Sequence, residues 1–250
     1  MPGVHAKLSA SGSKRWLACP GSVVLEALYP ETESPYAEEG TKAHALAEQI
    51  LATVFGYEDT APALNVDDEM ARNVKTYVDY CVDLYDSLRL KYKNVSAFIE
   101  ERVSYDSWVP KGFGSIDCIL LAGDELNILD LKYGKGVPVS AESNPQPRLY
   151  ALGAVQEYGD IYDIQHITTH IVQPRLNSIT TETLTRQELE AWGLSIREAA
   201  QTAYSDTRAY KAGDHCQFCR ARATCRERAT HYLSSILKIL GGNNDGNPAD

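Results

Sequence analysis

The chain has 250 residues, 44% apolar and 23% charged, an ordinary globular composition that suits one domain or one domain with a small appendage. No apolar run approaches the ~18 residues of a membrane helix, and Met1 to Trp16 lacks the basic-then-apolar pattern of a secretory signal, so a cytosolic protein is expected. A net charge of -10 argues mildly against nucleic acid, but placement outweighs the sum: between Cys216 and Arg228 lie Arg220, Arg222, Arg226 and Arg228 against the single acid Glu227.

Residues 1–35 read as mostly irregular, with a short helix near Ser13 to Leu28 that carries Cys19. A helix begins near Thr41, where Ala43, Leu46, Ala47, Ile50, Leu51 and Val54 recur at helical spacing, and Gly56 ends it. After a loop at 57–66, a second helix covers about 68–92, with Met70, Val74, Tyr77, Val78, Cys81, Tyr85 and Leu88 on its inner stripe. Strands follow at Ser96–Ser104, Ser115–Leu121 and Leu126–Lys132. Pro145 and Pro147 open a helix that runs to Tyr158, and Ile164–Val172 is a fourth strand. Thr185 and Glu188 have capping-box spacing for a helix to about Tyr204. A last helix spans about 223–239, and Gly241 to Asp250 reads as a polar, disordered tail. This order predicts an α/β fold, a mixed central sheet flanked by helices.

The segment with the most chemistry is the hairpin around Gly123-Asp124. A Gly-first two-residue turn of type II′ pairs Leu121 with Leu126, Ile119 with Ile128, Asp117 with Asp130 and Ser115 with Lys132, all on one face. Two aspartates then lie side by side at the end of a buried hairpin, where like charges repel and desolvation adds to the penalty. A protonated carboxyl or a bridging divalent cation relieves both. Lys132 points to the same face as Asp130 and helps neutralise it.

The cysteines carry a second signal. Cys81 and Cys118 sit in apolar patterns and should pack as small hydrophobes. Cys216, Cys219 and Cys225 form C-x2-C-x5-C, a strong ligand pattern that needs a fourth donor. His215 in that place favours zinc; Cys19 makes four thiolates suited to a [4Fe–4S] cluster.

Gly114-Ser-Ile-Asp117 followed by Asp130-Leu-Lys132 resembles the G-x-x-D…(D/E)-x-K core of RecB-like PD-(D/E)XK nucleases. Gly40-Thr-Lys-Ala-His44 resembles their upstream helix motif, and Gln146-Pro-Arg-Leu-Tyr150 their downstream Q-x-x-x-Y helix motif. Cys19 with the 216–225 cluster resembles the split iron–sulfur motif of AddB-type nucleases and CRISPR-associated RecB-like exonucleases, and residues 144–154 are similar to a phage-associated branch. Ile116 stands where the superfamily name places proline.

The resemblance spans residues 19–225 and implies a restriction-endonuclease-like nuclease domain over 1–240, with 1–35 and 205–240 joined by the cluster. It implies Mg2+- or Mn2+-dependent phosphodiester hydrolysis, by an exonuclease, on DNA with a single-stranded portion, in a bacterial or phage-infected cell. His44, Asp117, Asp130 and the Leu131 carbonyl would hold the metal. Lys132 would orient or deprotonate water, Gln146 would hold Lys132 or a phosphate, and Tyr150 would contact the strand. Arg175, Arg220 and Arg222 are expected phosphate contacts. Two other classes compete: a non-catalytic DNA-binding or adaptor protein on the same fold, and a zinc-stabilised interaction protein.

Overall fold

Helical apolar spacing in the first third and near-continuous apolar runs in the middle sort the chain into layers. The computed structural model describes residues 6–30, 35–57, 62 and 64–241. Most of the expected polar tail, and part of the 57–66 loop, lie outside the described residues. The elements run α1 (Ser13–Ala18), α2 (Ser22–Glu26), α3 (Pro35–Val54), α4 (Asp68–Lys91), β1 (Val95–Ser104), β2 (Phe113–Ala122), β3 (Glu125–Leu131), α5 (Pro145–Tyr158), β4 (His166–Gln173), β5 (Ser178–Thr185), α6 (Arg186–Tyr204) and α7 (Arg226–Gly241).

The five strands form one mixed sheet in the order β1-β2-β3-β4-β5. All neighbours are antiparallel except β3 and β4, which α5 connects as a parallel crossover. One face is covered by α1, α5 and α6 through Trp16, Leu149, Leu152, Leu189 and Ile196. The other is covered by α3 and α4 through Ala43, Ala47, Leu51, Val74, Tyr77 and Val78. This is the expected mixed sheet between helical layers. Among the described residues no helix is long and apolar enough to cross a membrane.

Local chemistry sets the boundaries. Asp67 caps α4 by accepting from the Met70 N–H at 2.7 Å. The capping box at Thr185 and Glu188 forms with both reciprocal hydrogen bonds. Gly123 takes φ 58° at the β2–β3 turn, which only glycine adopts freely.

Three elements differ from expectation. The single helix expected near Ser13–Leu28 is broken at Cys19-Pro20-Gly21 into α1 and α2. Helix α3 begins at Pro35 rather than Thr41, because its first turns are solvent-facing and carry no apolar stripe; Lys42 and Glu38 pair there at 2.8 Å. Strand β5 was not anticipated: it is an edge strand of alternating exposure, and its Thr-rich sequence carries little hydrophobic signal.

The hairpin register follows the expected pairing from Leu121↔Leu126 through Ile119↔Ile128 to Cys118↔Leu129. There the ladder stops, and Asp117 and Asp130 are not a paired couple. Opposite Asp117 on β1, Glu100 adopts a left-handed φ of 48°. Both strands lose their two-residue alternation here, so Ile116 and Val103 pack in the same layer as Ile119. The kink turns Asp117 toward α3, away from the face it was expected to share with Ile119 and Ile128.

Candidate functional site

Where β2 and β3 part, four elements bring polar side chains together. Helix α3 contributes His44, whose Nδ1 lies 3.1 Å from Asp117 Oδ1. The other oxygen of Asp117 accepts from the Leu131 backbone N–H at 2.7 Å, taking over the bond that the sheet ladder relinquishes. Asp130 Oδ1 accepts from Gln146 Nε2 of α5 at 3.1 Å, and the same amide nitrogen reaches the Tyr150 hydroxyl at 3.3 Å. Lys132 Nζ stands 2.6 Å from Asp130 Oδ2. That oxygen is buried and, despite the ion pair, has no partner in hydrogen-bonding geometry. Gly114 of the G-x-x-D segment lets the Tyr150 ring approach: a Cβ there would come within 2.8 Å of Tyr150 Cε1.

Glu100, which sequence reasoning missed, completes the cluster. His44, Glu100 and Asp117 can each offer one ligand atom within 4.8 Å of the others. Asp130 stands outside this triplet. The register of β1 against β2 crosses a long connection at 105–112, so no two-residue turn announces that Glu100 lies opposite Asp117. The one available signal is the acidic pair Glu100-Glu101 in the middle of the strand, directly after the apolar Ala97-Phe98-Ile99.

The electrostatics are those of a crowded acidic pocket. Burial works against a charged His44, but Asp117 and then Asp130 overcome it and raise its pKa to about 9. Burial also opposes ionisation of Asp117, yet His44, Lys132 and the Leu131 N–H hold its carboxyl below the usual range. Asp130 is pushed up, by burial first and by Asp117, against the pull of Lys132. Glu100 is raised to about 7 by burial and the neighbouring Asp117 and Glu48. Burial and then Asp130 also push the Tyr150 phenol up. Three carboxylates thus share a pocket with one imidazole and one ammonium.

These donors fit a hard divalent ion. Oxygen and imidazole ligands are the correct type, three ligand atoms already converge, and a buried carboxylate oxygen of Asp130 retains acceptor capacity.

The chain's two ends meet elsewhere. Cys19, Cys216, Cys219 and Cys225 line one recess together with Arg15, Tyr210, Lys211, His215, Arg222 and Arg228. The Lys211 N–H donates to Cys19 Sγ at 3.3 Å, and the Gly21 N–H donates to the Ala209 carbonyl at 2.9 Å. Buried Glu26 ties the segments further, accepting from Arg15 Nε at 2.6 Å and from the Arg220 N–H at 2.8 Å. Burial pushes the Cys19 and Cys219 thiols up. No three of the four sulfurs approach within 4.8 Å of one another. The structure thus brings the four cysteines to one recess without drawing them together as a ligand set. Cys81 and Cys118 are buried on the α3/α4 side, as expected.

Gln146, expected to hold Lys132 or a phosphate, donates to Asp130. Arg175 does not offer its guanidinium outward: it pairs with Glu39 at 2.8 Å and Glu69 at 2.9 Å and lies over the Tyr133 ring, joining α3 to α4. Its fork is filled by protein carboxylates. Arg220 and Arg222 are exposed.

Fold and site together define a helix–sheet–helix protein with a histidine–carboxylate–lysine pocket at one sheet end and a four-cysteine recess at its joined termini. The model of a protein family of unknown function, DUF2800, matches residues 5–239, and the chain belongs to that family. Among solved structures, the crystal structure of SSO0001 is similar at 13% identity and TM-score 0.41, covering 91% of this chain and 90% of its own.

Proposed function

We propose that this protein is a divalent-cation-dependent deoxyribonuclease, acting as an exonuclease on DNA with a single-stranded portion. The observation that carries this reading is the meeting of His44, Asp117, Asp130 and Lys132 where β2 and β3 separate. The reading adopts the RecB-like resemblance and a cytoplasmic setting in which the free cysteines stay reduced.

His44, Glu100, Asp117 and Asp130, with the Leu131 carbonyl, would hold Mg2+ or Mn2+. Such an ion activates water and offsets charge on a phosphate. The residues themselves do the rest. Asp117 is fixed through the Leu131 N–H and presents its second oxygen beside His44. Gln146 holds Asp130 in place and Tyr150 backs the amide, so the carboxylate arrives pre-oriented. Lys132 puts a partly exposed ammonium beside Asp130, suited to orient or deprotonate an attacking water and to stabilise anionic phosphate oxygens. Neutral imidazole is the ligand form of His44, so His44 would give up its proton to hold such an ion at neutral pH.

Cys19, Cys216, Cys219 and Cys225 would hold a structural [4Fe–4S] cluster that closes the chain's ends, with Arg220 and Arg222 beside it to steer DNA.

The test is digestion of end-labelled single- and double-stranded DNA by anaerobically purified protein. Products that require Mg2+ or Mn2+ and vanish with chelator support the reading. DNA bound but never cut would instead favour a non-catalytic DNA-binding protein.

A further inference from the structure

The connection from β3 to α5 runs from Lys132 to Asn144, and Gln146 follows in the first turn of α5, so site residues flank it. An exposed loop can leave its backbone to water, yet this one is strapped down by side chains of the β4–β5 edge. Buried Gln173 donates from Nε2 to the Gly134 carbonyl at 2.7 Å and the Val137 carbonyl at 2.9 Å. Its Oε1 accepts from the Val139 N–H at 3.0 Å. Thr180 Oγ1 accepts from the Ala141 N–H at 2.9 Å, and Glu182, itself gripped by Arg148, accepts from the Ser143 N–H at 2.7 Å. What the strap holds out is an exposed tip, Gly134-Lys135-Gly136-Val137. The neighbouring cations are all engaged: Lys132 by Asp130, Arg148 by Glu182, Arg175 by Glu39 and Glu69. Lys135 has no ion pair among the described residues. The flanking glycines are not imposed by packing, since a Cβ on either meets nothing within 4 Å.

We propose that Lys135 binds a backbone phosphate of the nucleic-acid strand in the site, and that Gln173 is the positioning residue that holds it there. Lys135 lies three residues beyond Lys132, at most about 11 Å along the Cα trace. That is a reach of about three nucleotides at roughly 3.4 Å each. The contact is to phosphate, so it reads no sequence.

This inference rests on the nuclease reading, and the experiment separates the two. Cleavage kinetics, and DNA affinity against salt in EDTA, are measured for the wild type, Lys135→Ala, Lys135→Arg, Gln173→Leu and the Lys135→Ala/Gln173→Leu double variant. Lys135→Ala should raise KM about three- to tenfold with a smaller change in kcat, and lower the slope of log affinity against log salt by about 0.7–0.9. Lys135→Arg should restore both. Gln173→Leu should reproduce the KM rise and add nothing to Lys135→Ala, as coupled residues do. An unchanged KM and salt slope in Lys135→Ala overturns the proposal even if Gln173→Leu fails to fold. So do effects of the two substitutions that simply add. A wild type inert on DNA overturns the nuclease reading and this one with it; an active wild type with an indifferent Lys135→Ala overturns only this one.

Discussion

The sheet end and the cysteine recess both gather metal-type ligands, and they are built in opposite ways. At the sheet end, donors hang from long elements whose positions are set by packing on both faces, and His44 and Asp117 meet at 3.1 Å. The pocket is electrostatically uncomfortable. In the recess, donors hang from a chain break and short turns near the termini, and the sulfurs line a common space without closing on one another. A frame packed on both faces constrains its anionic side chains more tightly than short terminal turns constrain theirs.

If that contrast holds, substitutions at the two places should fail differently. Asp130→Ala should lower cleavage by roughly three orders of magnitude while far-UV circular dichroism stays native, because the missing group acts on the transition state. Lys132→Ala should behave alike, and full activity in either variant would contradict the site.

If the proposed cluster is present, Cys219→Ser should lose the visible absorbance and bound iron, and lower the yield of folded protein before it alters the sheet-end pocket. Iron and sulfide analysis checks this; an intact chromophore, or zinc in place of iron, would count against the ligand set.

Glu100→Gln sharpens the contrast through pH. The folded-state pKa of about 7 exceeds the ordinary 4.5, so the native protein binds more protons between those values and loses stability as pH rises through them. In metal-free protein at pH 8 the substitution should therefore stabilise by roughly 1–2 kcal/mol, read as a higher Tm, and do little at pH 4.5. With Mn2+ present the sign should reverse, since the wild type gains a ligand that the variant lacks. A destabilised metal-free variant at pH 8 would break the picture of a strained apo pocket.

Another test lies in the core. Tyr80 and Asn127 bracket His170 at 2.8 and 3.1 Å, and burial lowers its pKa to about 4. Because the folded value lies below the ordinary 6.5, this group's contribution is present above pH 6.5 and lost as pH falls toward 4. It amounts to about 3 kcal/mol at most. The slope runs opposite to that of Glu100, so the wild type shows only the difference. Denaturant titrations of His170→Gln should lack the acid-side loss, and an unchanged pH profile would contradict a neutral buried imidazole.

Much of the fold was readable because apolar spacing and turn chemistry agree. The Gly123-Asp124 turn placed β2 against β3 in the observed register up to Cys118↔Leu129. Thr185 and Glu188 announced the start of α6. Beyond that register, local rules failed where the chain departs from them. The left-handed Glu100 turns Asp117 to a different face, and nothing in the strand's composition signals a kink. Arg175 read as a surface cation because its partners, Glu39 and Glu69, come from distant helices. Strand β5, polar and at the edge, hid for want of apolar residues.

The most direct measurement is Mn2+ binding to the metal-free protein, followed by electron paramagnetic resonance alongside calorimetric proton release. The account predicts saturable binding that is lost in Asp117→Asn, weakened in Glu100→Gln, and accompanied near pH 7.5 by release of the His44 proton. Binding that ignores both substitutions, or no binding at all, would leave the carboxylate pocket without the ion on which the proposed chemistry depends.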